Sequence, residues 1–301
     1  MNRTTQSVAA QQVFPLAAGA DYLMLVKPRV VAMIVLTTLS GFLMGATGSI
    51  DYVLLLHTLL ATALVGAGTL ALNQYMERDI DARMLRTRQR PLPDGRMRAI
   101  EALVFGGFLT IVGLLYLTLI ASPLAGLVTA MTVIGYLFVY TPLKTRTALC
   151  TVLGAFPGAL PPVTGWAAAT GGLGPGAIVL FGILFFWQLP HSLAIAQLYR
   201  EDYNRAGIRL LPTVDPASAS TRRQIALNCM ALFSVGLLPA VLGMAGWFYL
   251  AAALLLGGWM LAAGAVLTAD VTRERARRLL LVSYLYVPVV FIAMAADKIG
   301  S

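Results

Sequence analysis

Charge is scarce in this chain. Of 301 residues, only 12% are Asp, Glu, Lys or Arg, well below the roughly 25% of a soluble domain. With 58% hydrophobic content and a mean hydropathy of +0.79, that shortage excludes an ordinary soluble fold and points to a membrane protein. Cysteine is nearly absent too. Cys150 and Cys229 read as small apolar helix residues, so no disulfide framework and no thiolate metal centre is expected. Residues 1–20 contain no short apolar core ending in a cleavage site. That argues against a signal peptide and for a mobile tail ahead of a single membrane-embedded domain over 21–301. No internal repeat of roughly 20–50 residues is evident.

The chain has instead long charge-free runs, to be measured against the roughly 20 residues a helix needs to cross the hydrocarbon. The runs 30–50 and 52–76 give one span each, and 102–143 gives two, divided at Ser122-Pro123. The run 147–199 divides at the glycine-rich stretch 171–176, 224–269 divides near 243–246, and 279–296 supplies the last span. The expected fold is therefore all-α, a polytopic membrane protein of nine transmembrane helices. Three prolines within 154–165 predict that the fifth span is kinked or locally unwound, which membranes tolerate only where the freed backbone faces protein or a cavity.

Lys and Arg collect on the cytoplasmic side of membrane proteins. Counting spans along the chain puts 21 of the 22 basic residues on one face, and only Lys298 on the other. The N-terminus is then cytoplasmic and the C-terminus opposite, in what reads as a bacterial inner membrane. The formal net charge of +9 is mostly this topological signal, so no nucleic-acid partner is expected.

Against this background 73–92 stands out, setting acidic and amide side chains beside five arginines. Asn73, Glu77 and Asp81 recur at i, i+4 and i+8, which on a helix keeps three oxygen donors within roughly 80° of one another. Mg²⁺ takes oxygen ligands and is commonly held by one or two carboxylates plus substrate phosphates. A short acidic stripe next to a basic run therefore suggests a metal–diphosphate site. Ionisable groups at such a depth that face a cavity are functional candidates.

Other groups read two ways. Lys27-Pro28-Arg29 suits a membrane anchor, with a substrate contact as the alternative. Lys144 and Arg146, at the cytoplasmic end of the fourth span, need no purpose beyond topology, yet they share a face with the stripe and are candidate diphosphate clamps. The sixth span carries His191 and runs into Tyr199 and Asp202. On one continuous helix, His191 and Asp202, eleven residues apart, fall on nearly the same face, a second polar stripe. His191 is either a structural hydrogen-bonding residue or a substrate contact.

The string Asn73-x-x-x-Glu77-Arg78-x-x-Asp81, followed by Arg86-Thr87-x-x-Arg90-Pro91-Leu92, resembles the first aspartate-rich motif of the UbiA-type membrane prenyltransferases. Lys27-Pro28-Arg29, Tyr140-Thr141-Pro142-Leu143-Lys144, Pro157-Gly158-Ala159-Leu160-Pro161-Pro162, Pro190-His191-Ser192 and Asp202-Tyr203-x-x-Ala206-Gly207-Ile208 are similar to the protohaem IX farnesyltransferase branch. The resemblance runs over about 22–213 through motifs and to 297 through topology. It implies a helical bundle around a central cavity and transfer of a farnesyl group from farnesyl diphosphate to the 2-vinyl group of haem b, water adding to give haem O.

By the same resemblance Asn73, Glu77, Asp81 and Asp202 hold Mg²⁺ and carry catalysis, and Arg86, Arg90, Lys144 and Arg146 bind the diphosphate. His191, Tyr199 and Tyr203 are the candidate substrate contacts. One departure stands out: the family's second motif carries further aspartates upstream, where this chain has His191 and Tyr199. His191 becomes a candidate for holding the haem, through iron or a propionate. Membrane lipid surrounds the bundle, and a haem A synthase or terminal oxidase is the candidate protein partner. An aromatic or quinone-precursor acceptor is the alternative within the family. A transporter is the alternative outside it, disfavoured because the acidic groups lie at one interface rather than at the midplane.

Overall fold

The structure is a computed structural model that describes residues 19–215 and 217–299. The expected tail lies outside the described residues except for Gly19 and Ala20, which begin helix α1 (Gly19–Val26). In chain order there follow α2 (Pro28–Gly45), α3 (Tyr52–Asp81), α4 (Ala99–Ala121) and α5 (Pro123–Leu143). A broken pair, α6 (Cys150–Gly158) and α7 (Pro161–Thr170), comes next. It leads to α8 (Pro175–Leu198) and two short helices, α9 (Arg200–Arg205) and α10 (Leu211–Val214). The last three are α11 (Ala219–Val241), α12 (Trp247–Ala269) and α13 (Arg273–Ala296). The described residues form no strand, only an isolated bridge between Ala245 and Lys298.

Eight of these helices are long and apolar enough to cross a membrane, one fewer than the nine expected. The fifth span is the broken pair, whose halves of 9 and 10 residues are each too short to cross alone. Proline is the reason. Pro157 lies inside α6, and Pro161 and Pro162 open α7 without N–H groups to continue the ladder. Ala159 and Leu160, at the break, are buried, so the freed backbone faces protein, and Gln188 Nε2 donates to the Ala155 carbonyl at 3.3 Å. The upper half-helix also packs closely. A Cβ at Gly165 would collide with the Thr38 carbonyl oxygen, and one at Gly41 with the Pro162 carbonyl oxygen, so small residues let α7 and α2 touch along their backbones.

Turn chemistry fixes the other reversals. The Asp51 carboxylate accepts from Leu54 N at 2.9 Å to open α3, and Ser122, followed by Pro123 at the first helical position, caps α5 through Ala125 N at 3.3 Å. At one end of the bundle, Lys298 Nζ donates to the carbonyls of Leu43 (2.8 Å) and Ala46, and Asp297 accepts from Tyr249 N at 2.7 Å. At the other end, Arg96 pairs with Asp21 and Arg209 N donates to the Lys144 carbonyl at 2.7 Å. The arginine-rich loop 82–98 is at this second end, away from Lys298.

The main core lies between α8, α11, α12 and α13, around Leu180, Ile183, Leu232, Met260 and Phe291. Two long helices contain wide π turns, Leu117–Ala121 at the end of α4 and Gly135–Tyr140 just before the last residues of α5. The second turn bears on chemistry, because it re-phases Thr141 and Lys144 relative to the helix below them.

Candidate active site

The last two turns of α3 build one wall. Asn73 is 1% exposed, Glu77 8% and Asp81 1%, and helical spacing aligns them on one face. Each has a partner from another segment or from the loop beyond. Lys144 Nζ lies 2.5 Å from Glu77 Oε1, and Arg90 Nη1 lies 2.5 Å from Asp81 Oδ2. Asn73 Nδ2 donates to Thr141 Oγ1 at 3.1 Å. Thr141 can receive it because the π turn brings both its N–H and its hydroxyl onto the Tyr136 carbonyl, the latter at 2.8 Å. Thr141 was legible only as part of a motif, not as a partner of Asn73.

Cations converge here beyond those expected. Lys27 adopts a left-handed conformation, φ +50°, which is unfavourable for a residue other than Gly and marks a locally imposed geometry. Burial pushes its pKa down to about 7, the neighbouring Arg90 guanidinium adds to the effect, and Glu77 opposes it. Its sequence, Lys before Pro, reads as an anchor; only the fold brings it into the field of Glu77, Asp81, Arg90 and Lys144. Burial works against the Lys144 charge as well, but Tyr140, Glu77 and Tyr136 outweigh it and hold the ammonium well above the usual lysine value. Lys144 Nζ also sits 4.4 Å from the centre of the Tyr140 ring. Lys144 and Arg90 balance the two carboxylates, and Lys27, whose proton is shared with solvent near neutral pH, tips the wall toward positive charge when an anion arrives.

The second expected stripe is not a single helical face. α8 ends at Leu198, and Tyr199, at φ −112°, ψ 29°, redirects the chain into α9. Asp202 therefore turns onto the loop after α3. Its carboxylate accepts from Leu85 N (3.2 Å) and Arg86 N (3.3 Å) and pairs with Arg205 at 2.8 Å. Arg86 lies over the Tyr199 ring at 5.0 Å and reaches Tyr203 Oη at 3.5 Å. Asp202, Arg86, Tyr199 and Tyr203 thus form a clasp that orders the loop from which Arg90 reaches Asp81. Arg146 is exposed, and its side chain makes no hydrogen bond or ion pair among the described residues.

A cavity of about 200 Å³ is lined in part by Tyr136, Tyr140, Thr151, Gln188, Ser192 and Tyr203; none of the stripe residues lines it, and the Tyr140 ring beside Lys144 links it to the wall. A larger hollow of about 460 Å³ at Arg78, Asp79 and Arg98 touches none of the stripe residues. His191 stands apart from the carboxylates. Its Nδ1 meets Ser283 Oγ at 2.7 Å, and its ring stacks on Trp187 with centroids 4.6 Å apart.

No cluster of three or more His, Cys, Asp or Glu that could hold a metal occurs among the described residues. The donors present are one amide and two carboxylates on one helix face. Mg²⁺ asks for one or two carboxylates when phosphates and waters complete its shell, so Asn73, Glu77 and Asp81 suit an ion that arrives with a diphosphate. Asp202 has both oxygens engaged by backbone N–H groups.

Residues 34–293 match the sequence profile of the UbiA prenyltransferase family. The chain belongs to that family. As a UbiA prenyltransferase it is an integral membrane enzyme. It is 47% identical over 289 residues to the protoheme IX farnesyltransferase of Solibacter usitatus (strain Ellin6076), covering 93% of this chain and 99% of that one. It is 41% identical over 309 residues to the protoheme IX farnesyltransferase of Koribacter versatilis (strain Ellin345), covering 99% of both. Among solved structures, a digeranylgeranylglyceryl phosphate synthase superposes with a TM-score of 0.75 at 18% identity, over 92% of this chain and 97% of that one. A UbiA homologue from Archaeoglobus fulgidus bound to GPP and Mg²⁺ gives 0.60 at 20% identity, over 91% and 99%. These two matches establish the shared fold of the UbiA prenyltransferase.

Proposed function

We propose that this prenyltransferase moves the farnesyl group of farnesyl diphosphate onto the 2-vinyl group of haem b (protohaem IX), forming haem O with Mg²⁺ as cofactor. The observation that carries the reading is the pairing of Glu77 with Lys144 and of Asp81 with Arg90 on one buried wall. Such a wall presents carboxylates to a metal and cations to phosphates at once. The acceptor follows from the two relatives, which are named for protohaem.

Mg²⁺, when bound, withdraws charge from the leaving diphosphate, with Asn73, Glu77 and Asp81 as its protein ligands. Lys144 and Arg90 exchange their carboxylate contacts for phosphate oxygens, Lys27 lies in the same field, and Arg86 approaches from the clasp. Prearranged cations of this kind stabilise the charge that develops as the bond between farnesyl C1 and oxygen breaks, both electrons leaving with the diphosphate. The vinyl π electrons then bond to C1, and water adds to the resulting cation and gives up a proton. Apolar helices limit premature capture by water. The site lies at the cytoplasmic face of a bacterial inner membrane, with the N-terminus on that side and the C-terminus on the other, as the positive-inside distribution supports.

The test is direct. Purified protein incubated with haem b, farnesyl diphosphate and Mg²⁺ is expected to yield haem O, read by mass. No farnesylated haem, with an aromatic acid prenylated from the same donor, would overturn the acceptor.

A further inference from the structure

The niche between α8 and α13 is not used by the diphosphate chemistry. His191 is its centre. Ser283 Oγ donates to the Leu280 carbonyl at 2.6 Å, and a hydroxyl has one proton to give. Toward His191, 2.7 Å away, that oxygen can therefore only accept, so Nδ1 carries the imidazole proton. A neutral imidazole has only one N–H, and its lone pair is left on Nε2. That atom has no hydrogen-bond partner among the described residues.

The ring is also fixed in orientation. Trp187 stacks on it with an interplanar angle of 22°, and Tyr284 meets it edge-on with centroids 5.3 Å apart. Trp187 Nε1 in turn donates to the Ser283 carbonyl at 2.9 Å, tying α8 to α13 at this level. A histidine held by stacking, with one nitrogen committed to an acceptor and the other bare, has the arrangement expected of a metal-ligating imidazole. Tyr284 is itself 54% exposed.

We infer that His191 Nε2 is an axial ligand for the iron of the haem acceptor, with Ser283 as the positioning residue that sets its tautomer. The inference rests on the proposed acceptor being a haem. Iron ligation would anchor the macrocycle by its centre and leave its periphery, where the vinyl groups lie, free to meet the prenyl donor.

The test titrates ferric haem b into the purified full-length protein without farnesyl diphosphate and records absorption and resonance Raman spectra. The wild type is expected to show a histidine-ligated haem. His191→Ala should lose that signature and bind haem at least about tenfold more weakly, and added imidazole should restore the signature. His191→Met, a second variant of different size, should change the ligand-field spectrum if it folds as judged by circular dichroism. Ser283→Ala should keep the haem but, after reduction to the ferrous complex, shift the iron–histidine stretching frequency, which a merely helix-bridging serine would not do. Unchanged spectrum and affinity in folded His191→Ala would overturn the inference. Haem O formation by the wild type, measured separately, tells that failure from a failure of the proposed reaction.

Discussion

Asn73, Glu77 and Asp81 were legible because a helix repeats every 3.6 residues, and polar groups at that spacing in so apolar a chain mark one face of it. Their partners were only partly so. Lys144 and Arg90 could be named as clamps, but their pairing with Glu77 and Asp81 depends on where α5 and the loop 82–98 come to rest. Lys27 reads first as a headgroup anchor, with a substrate contact as the alternative, and only the fold brings it beside Arg90 and Glu77. At this scale, Glu77→Gln and Asp81→Asn should each lower Mg²⁺-dependent turnover by about 10²-fold or more, in an assay of haem O formation. Thr141→Val removes the acceptor of the Asn73 amide and leaves a buried donor unmade, at a cost of about 1–3 kcal/mol. It should lower thermal stability and turnover together, read by melting and by the same assay.

Elements follow a similar division. The break in the fifth span could be read from Pro157, Pro161 and Pro162, because a missing N–H is a property of the residue itself. The end of α8 could not: Tyr199 is neither proline nor glycine, and the chain turns there because Asp202 finds the Leu85 and Arg86 amides. A continuous helix would have carried Asp202 past them. The π turn at 135–140 was equally invisible, since nothing in its composition distinguishes it from an ordinary turn. The contact between α2 and α7 gives a prediction at this level. Gly165→Ala inserts a methyl against the Thr38 carbonyl and should destabilise the bundle by about 1–3 kcal/mol, seen as a lower thermal-inactivation temperature.

For the whole molecule, the arginine-rich loop 82–98 and Lys298 lie at opposite ends of the bundle, the separation that the distribution of basic residues leads one to expect. The helix count was off only where a span is split. The expected orientation is open to a labelling measurement. Cysteines introduced as Ser49→Cys and Arg88→Cys, both at exposed positions, should react with a membrane-impermeant maleimide from opposite faces, Arg88→Cys from the cytoplasmic one. Cys150 and Cys229 are buried and should stay silent. Labelling of both positions from one side would contradict the topology.

The central claim is that one buried wall of α3, joined by Lys144 and Arg90, ionises a prenyl diphosphate for capture by haem. Parallel measurement of released diphosphate and haem O, in wild type and in Asp81→Asn, tests it most directly. The account predicts equal amounts of the two products in the wild type and a joint loss in the variant. Haem O formed by Asp81→Asn at the wild-type rate would contradict it.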